Sequence, residues 1–124
     1  AFEGGALGAR WSLMIFRRKL RYVLVEATEG IDLRDPIVVE EFKKRTMEFL
    51  GHLPYFKANP QVAAQLNEKV FVISMNRGCE REVMLALSFL KNIGGSRIGF
   101  YTVRTSGTIR SLKEIYKTLY EQRQ

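Results

Sequence analysis

An α+β domain, built as a four-stranded antiparallel β-sheet with two packed helices and one extra C-terminal helix, is what this sequence predicts. Three observations carry the expectation. Four segments have the alternation and β-branched or aromatic content of strands, two segments between them repeat apolar residues at helical spacing, and the order is strand, helix, strand, strand, helix, strand. At 124 residues with 46% hydrophobic content, the chain is long enough to bury one core of this kind.

Leu20 to Ala27 is the first strand, with Tyr22 and Leu24 on one side and Val23 and Val25 on the other. Apolar residues on both sides predict a central strand, one face covered by helices and the other by a partner. Asp35-Pro36 pairs an N-cap with a proline suited to the first helical position. Val39, Phe42, Thr46, Phe49 and Leu50 mark the buried stripe of the helix that follows, Glu40, Lys43, Lys44 and Glu48 its wet side, and Gly51 its end. His52 to Pro60, holding Pro54 and Asn59, reads as a connector. Gln61 to Leu66 is a weak strand that turns at Asn67-Glu68 into the strong strand Lys69 to Met75, giving a hairpin. In the second arm Phe71, Ile73 and Met75 oppose Val70, Val72 and Ser74.

Glu80 to Ile93 reads as the second helix, through Val83, Ala86, Leu87, Leu90 and Ile93, and Gly94-Gly95 breaks it. Arg97 to Thr105 is the last strand. Ser106 is the expected N-cap of a closing helix whose apolar side is Ile109, Leu112, Ile115, Tyr116 and Leu119. This split βαβ order is that of a ferredoxin-like, RNA-recognition-motif-like sandwich. Such a fold hosts many functions, so function has to be argued from a site.

Net charge is +7, and its distribution says more than its total. Arg10 to Arg21 carries five cations and no acid, and Arg97 to Gln124 carries six cations against Glu114 and Glu121, so the remainder of the chain is slightly acidic. Basic poles at both chain ends attract a polyanion: nucleic acid, an acidic membrane or an acidic partner. Residues 1–16 read as an N-terminal arm, flexible or a cloning remnant, since no basic segment precedes an apolar core as in a secretion signal. Within it Trp11 to Phe16 is apolar enough to pack against the domain or a partner. Residues 17–124 form the single expected domain.

Few groups can do chemistry. Cys79 is alone, which excludes a disulfide framework and points to a cytoplasmic chain, and His52 is alone without carboxylates at ligand spacing. No apolar run is long enough to span a bilayer. Ser106 has neither a nucleophile elbow nor a nearby histidine, Glu80 and Glu82 suit the start of a helix without acid–base work, and Gly94 to Gly99 lies between helix and strand, the reverse of a dinucleotide-binding order. Lys69 to Met75 lacks the glycines of a base-stacking RNA-recognition strand, so its aromatic is expected in the core or an interface. Lys43-Lys44-Arg45 reads as a solvated helix surface. What remains is the closing stretch. The hydroxyls of Thr105, Ser106 and Thr108 and the amides of a helix start suit a phosphate, and Arg110, Lys113 and Lys117 recur on one helical face.

Thr105-Ser106-Gly107-Thr108-Ile109-Arg110 after a strand resembles the V-S-G-T-I-R/K signature of the archaeal ribonuclease P protein component two family, which has a eukaryotic counterpart among the small subunits of ribonuclease P and MRP. Other landmarks fall in the family's order: Arg21-Tyr22, Lys57-Ala58-Asn59-Pro60, Arg77, Val83 to Leu87, and the Gly-Gly before the last strand. Together they cover roughly Arg17 to Lys113. The chain departs at Arg104-Thr105, where the family usually has Gly-Val.

The resemblance implies a non-catalytic protein subunit of a ribozyme that removes the 5′ leader from precursor tRNA, with magnesium on the RNA and no cofactor bound by the protein. It implies ribonuclease P RNA and a TIM-barrel-like protein subunit as partners, self-association within a heterotetramer, indirect engagement of precursor tRNA, and no membrane. By the same analogy the RNA-contacting set is Arg17, Arg18, Lys19, Arg21, Lys57, Arg77, Arg104, Ser106, Gly107, Thr108, Arg110, Lys113 and Lys117. The competing class is a protein–protein module that dimerises through its sheet face, with incidental basicity; a small-molecule or enzymatic domain of this fold is a third.

Overall fold

The computed structural model describes residues 20–121, so the expected arm and the cations Arg17, Arg18 and Lys19 lie outside it. Among the described residues there are six strands: β1 Leu20–Ala27, β2 Gln61–Gln65, β3 Val70–Asn76, β4 Asn92–Ile93, β5 Ser96–Arg97 and β6 Phe100–Ser106. The helices are α1 Pro36–Leu50, α2 His52–Ala58, α3 Glu80–Phe89 and α4 Ile109–Tyr116, the last running into a π-helical turn at Lys117–Glu121. The main sheet is antiparallel in the order β2-β3-β1-β6, and β4-β5 is a separate small hairpin. This is the ferredoxin-like arrangement expected from the order of elements.

Strand β1 is central, and the alternation read from the sequence sorts its residues as expected. Val23 and Val25 join Phe71, Ile73 and Met75 of β3 in the larger core, with Phe42 from α1 and Val83 and Leu87 from α3. Phe42, Phe71 and Phe100 meet edge to face at 5.7–6.0 Å at its centre, the geometry the ring quadrupoles favour. The opposite face holds Leu24, Val70 and Val72 beneath Leu112 of α4, flanked by Tyr22, Val103, Ile115 and Tyr116. The second face expected to await a partner is therefore covered by the chain's own C-terminal helix. The amphipathic period of Ile109 to Tyr116 is the cause, since its apolar side needs a surface and the strands offer one.

Asp35 caps α1 as expected, its carboxylate accepting from the Ile37 amide at 3.0 Å, and Gly51 (φ 88°) ends the helix. Thr46 is buried because its hydroxyl donates to the Phe42 carbonyl at 2.8 Å. Phe49, expected in the core, is instead exposed and stacks on Phe89 of α3 at 5.0 Å; it lies on the margin of the stripe, where the seam between α1 and α3 meets solvent.

Three boundaries differ from the expectation. The connector contains a helix, α2, because Pro54 falls in its first turn, where the missing amide has no intrahelical partner in any case. Asn59 closes α2 in the left-handed conformation (φ 46°), its N–H donating to the Tyr55 carbonyl at 2.8 Å. Helix α3 stops at Phe89, four residues early, because Leu90 is extended and Ile93 finds its burial from β4. Gly94 and Gly95 (φ 60° and 78°) turn β4 into β5, the pair of positive φ values that a tight hairpin demands. The Gly94 amide anchors the hairpin on Glu41 Oε2 at 2.7 Å. The last strand accordingly begins at Phe100, not Arg97.

Leu112 is fully buried and is the main side chain by which α4 holds the sheet. Leu112→Ala should therefore cost roughly 2–4 kcal/mol of stability through lost burial and a residual cavity, read as a lower midpoint in urea unfolding. An unchanged midpoint would mean that α4 does not pack on the sheet in solution.

Candidate functional site

Strand β1 begins where β3 and β6 end. Leu20 lies opposite Asn76 and Tyr22 opposite Ser106, so the residues before β1, after β3 and after β6 share one end of the sheet. Arg21 faces the helical side there. Its Nε lies 3.8 Å from Glu80 Oε1, and a Cβ placed on Gly107 would sit 3.6 Å from its Nη1. The guanidinium thus lies beside the 106–108 loop, within van der Waals reach of position 107.

Helix α4 starts two residues later than expected. Ser106 is the last residue of β6, held extended by its pairing with Tyr22, and its hydroxyl accepts from the Thr108 amide at 3.3 Å. Thr108 is the N-cap (φ −140°, ψ 147°), its Oγ1 accepting from the Ser111 amide at 3.2 Å. The amides of Ile109 and Arg110 remain the outward donors that every helix start carries. Gly107 and Thr108 are exposed and Arg110 extends from the first turn, its Nε 3.8 Å from Glu114 Oε1. Both side chains of that pair are largely exposed (91% and 71%), so the contact contributes little.

Two brackets complete the end. Glu80 Oε1, besides facing Arg21, accepts from the Gly78 amide at 3.0 Å, which fixes the turn bearing exposed Arg77. Asn76 Nδ2 donates to the Lys57 carbonyl at 2.7 Å and ties the last turn of α2 to the end of β3. Arg21, Lys57, Arg77, Ser106, Gly107, Thr108 and Arg110 are thereby brought together. The other predicted residues are not. Arg104 is exposed on the edge strand opposite Leu24, beside a bulge in the β1–β6 register. Lys113 and Lys117 lie farther along exposed positions of α4, which runs toward the opposite end of β3, where Tyr116 Oη accepts from Asn67 Nδ2 at 3.0 Å. At about 1.5 Å per residue, Lys117 stands roughly 10 Å along the axis from Arg110. Arg17, Arg18 and Lys19 lie outside the described residues.

Among the described residues no carboxylate pairs with Lys57, Arg77, Arg104, Lys113 or Lys117. Nor do three or more His, Cys, Asp or Glu side chains come together there to hold a metal ion. Burial, reinforced by Glu82, pushes the Cys79 thiol above its ordinary value, so it is protonated and a poor nucleophile near neutral pH. Desolvation likewise raises the Tyr55 hydroxyl, with Glu40 adding to it. The arrangement can hold anionic oxygens with guanidinium, ammonium and hydroxyl groups. Sequence reasoning missed Glu80 and Asn76 as bracing residues and placed the cap on Ser106 rather than Thr108. Thr108 is itself a good N-cap residue type, a usable signal for the cap, whereas nothing local marks Asn76 as the partner of a residue 19 positions away.

The Rpp14/Pop5 family model matches residues 21–117. Among solved structures, a chain from the cryo-EM structure of yeast ribonuclease MRP is similar, with a TM-score of 0.56 and 11% identity, covering 85% of this chain and 94% of that one. At that identity the likeness bears on the fold. No curated protein matches. No helix among the described residues is long and apolar enough to cross a membrane.

Thr108→Ala should destabilise the fold by about 1 kcal/mol through loss of the cap, and Ser106→Ala by clearly less, as measured by chemical unfolding; equal effects would place the cap elsewhere. Alkylation of Cys79 by iodoacetamide should be slower in the native than in the unfolded chain and should accelerate only at more alkaline pH than for an ordinary cysteine. Equal native and unfolded rates would contradict the burial of the thiol.

Proposed function

The chain belongs to the Rpp14/Pop5 family, and on that premise we propose that it is an RNA-binding protein subunit of a ribonuclease P/MRP-type ribonucleoprotein. The observation that carries the proposal is the convergence of Arg21, Arg77, Lys57 and the 106–110 loop at one end of the sheet, with the Arg21 guanidinium against Gly107. In finer terms, the protein acts in ribonuclease P, where RNA bearing magnesium removes the 5′ leader from precursor tRNA, and it stabilises the catalytic domain of that RNA. A TIM-barrel-like protein subunit and a second copy of this chain complete a cytoplasmic heterotetramer of the archaeal type.

The binding chemistry follows from the geometry. Cations that lack a carboxylate partner neutralise phosphates and release condensed counterions, while the amides opening α4 and the Thr108 and Ser106 hydroxyls donate to phosphate oxygens. Such contacts read the shape of a folded RNA rather than its bases. Dimerisation through an open sheet face, the competing class, is less well supported, because α4 occupies that face with Leu112 fully buried beneath it.

Binding to ribonuclease P RNA should weaken steeply between low and moderate salt, and Arg77→Ala with Arg110→Ala should lower the salt slope by about one per cation removed while leaving the fold intact. The same double variant should activate less in cleavage of precursor tRNA reconstituted with the RNA and the TIM-barrel-like subunit. A flat salt response, or unchanged activation by the variant, would remove this end of the sheet from the RNA surface.

A further inference from the structure

The cation rim reads shape, but a cleft beside it has the make-up to read one base. Between α2 and the start of α3 opens an apolar cleft of about 330 Å3, lined by Leu53, Pro54, Lys57, Gly78, Cys79 and Glu82. Its walls are tied to one residue. Asn76 Nδ2 donates to the Lys57 carbonyl at 2.7 Å, and the Asn76 carbonyl accepts from the Cys79 amide at 3.2 Å. Cys79 is buried, whereas Leu53 is 82% exposed, a large apolar side chain presented to water at the cleft's edge. The space stands at the small end of ligand sites. Bounded by the seven-residue α2 on one side and a turn on the other, it takes a planar ring and lacks the length that a docked helix needs.

Two polar features decide the occupant. Lys57 belongs to the cleft and Arg77 adjoins Gly78 on its wall; both are exposed cations with no carboxylate partner among the described residues. Glu82 is the one acid among the lining residues, exposed and without a hydrogen bond or ion pair among the described residues. A carboxylate repels phosphate and accepts from two donors side by side. Of the four RNA bases, guanine alone sets two donors side by side on its Watson–Crick edge, N1–H and the 2-amino group. The other three place an acceptor next to each donor, which a carboxylate oxygen disfavours. Resting on the ribonucleoprotein reading, we propose that this cleft receives one unpaired guanine of the bound RNA. Leu53 and Pro54 meet the ring, the Glu82 carboxylate accepts from the two donors, and Lys57 and Arg77 hold the flanking phosphates. Loops and bulges supply bases with that edge free.

The test uses the full chain and a stem-loop RNA with one bulged guanosine, compared with the same RNA carrying adenosine or inosine there. Inosine keeps N1–H and lacks the 2-amino group. The guanosine RNA should bind tighter than the adenosine form by about five- to a hundred-fold, the range of one bidentate base contact, with the inosine form between them. It should also slow alkylation of Cys79 by iodoacetamide more than the adenosine form does. Glu82→Gln, at an exposed position that does not threaten folding, should abolish the preference and leave the salt slope unchanged, since Glu82 touches no phosphate. Salt-dependent binding with equal affinity for all three RNAs overturns this proposal and leaves the subunit reading standing; no binding at any salt overturns both. A preference that survives Glu82→Gln also overturns it, because guanine is then read elsewhere.

Discussion

Strand β1 is paired along both edges and buried on both faces, and the rest of the molecule is arranged to make that possible. Val23, Leu24 and Val25 are three consecutive residues with no exposed surface. Successive side chains of a strand point to opposite faces, so neither face of the sheet can be left wet at this point. Helices α1 and α3 cover one side, and the chain reserves α4 for the other. Hydrogen-bond demand does the same for the edges: β3 and β6 take the two rows of backbone groups, and their antiparallel sense sets both of their ends beside the start of β1. Burying β1 is what places Arg21 beside Gly107.

Arg21 and Arg110, from two basic segments that lie far apart in the chain, therefore share one end of the sheet with Lys57 and Arg77. Like charges gathered in this way repel, at about 1 kcal/mol for a pair 4 Å apart in water and more where water is partly excluded. Glu80 offsets part of that cost, facing Arg21 and holding the Gly78 amide with the same carboxylate oxygen. A single acid bracing one guanidinium and one backbone amide leaves Lys57 and Arg77 without a carboxylate partner among the described residues. Field of one sign at one end of a small domain raises the local concentration of a polyanion and speeds its encounter. On the proposed reading, a bound phosphate backbone relieves the same repulsion.

Much of this was legible in the sequence wherever the information is local. The face assignments in β1 and β3 follow from strict alternation, which is why Phe71, Ile73 and Met75 lie opposite Val70 and Val72 as expected. The Asp35-Pro36 start and the Gly51 end of α1 are stereochemical and needed no tertiary context. The misreadings share one cause, competition from distant partners. Ser106 has the chemistry of a cap, yet pairing with Tyr22 keeps it in the strand and passes the cap to Thr108. Ile93 continues the helical period of α3, yet two glycines with positive φ make a hairpin that buries it differently. Phe49 belongs to the stripe of α1 by spacing but lies at its edge, where only the position of α3 decides exposure. The gathering of the candidate site was not legible at all from charge counts, because it depends on strand register, a property of pairs rather than of segments.

Covering the second face also decides which kind of recognition the domain can offer. Sheets of this fold that stack bases need an open aromatic surface. Here Phe71 is locked edge to face with Phe42 and Phe100 in the interior, and Val70 and Val72 lie under α4. The route through base stacking on the sheet is closed by packing. What stays accessible is a rim of backbone amides, hydroxyls and cations fixed by α4, Glu80 and Asn76. Groups of this kind bind phosphates whose spacing matches the rim, and in a folded RNA that spacing is set by tertiary shape. On the proposed reading, the helix that closes the core also selects the ligand: by denying the sheet face to bases, α4 leaves its own first turn as the surface offered to a phosphate backbone.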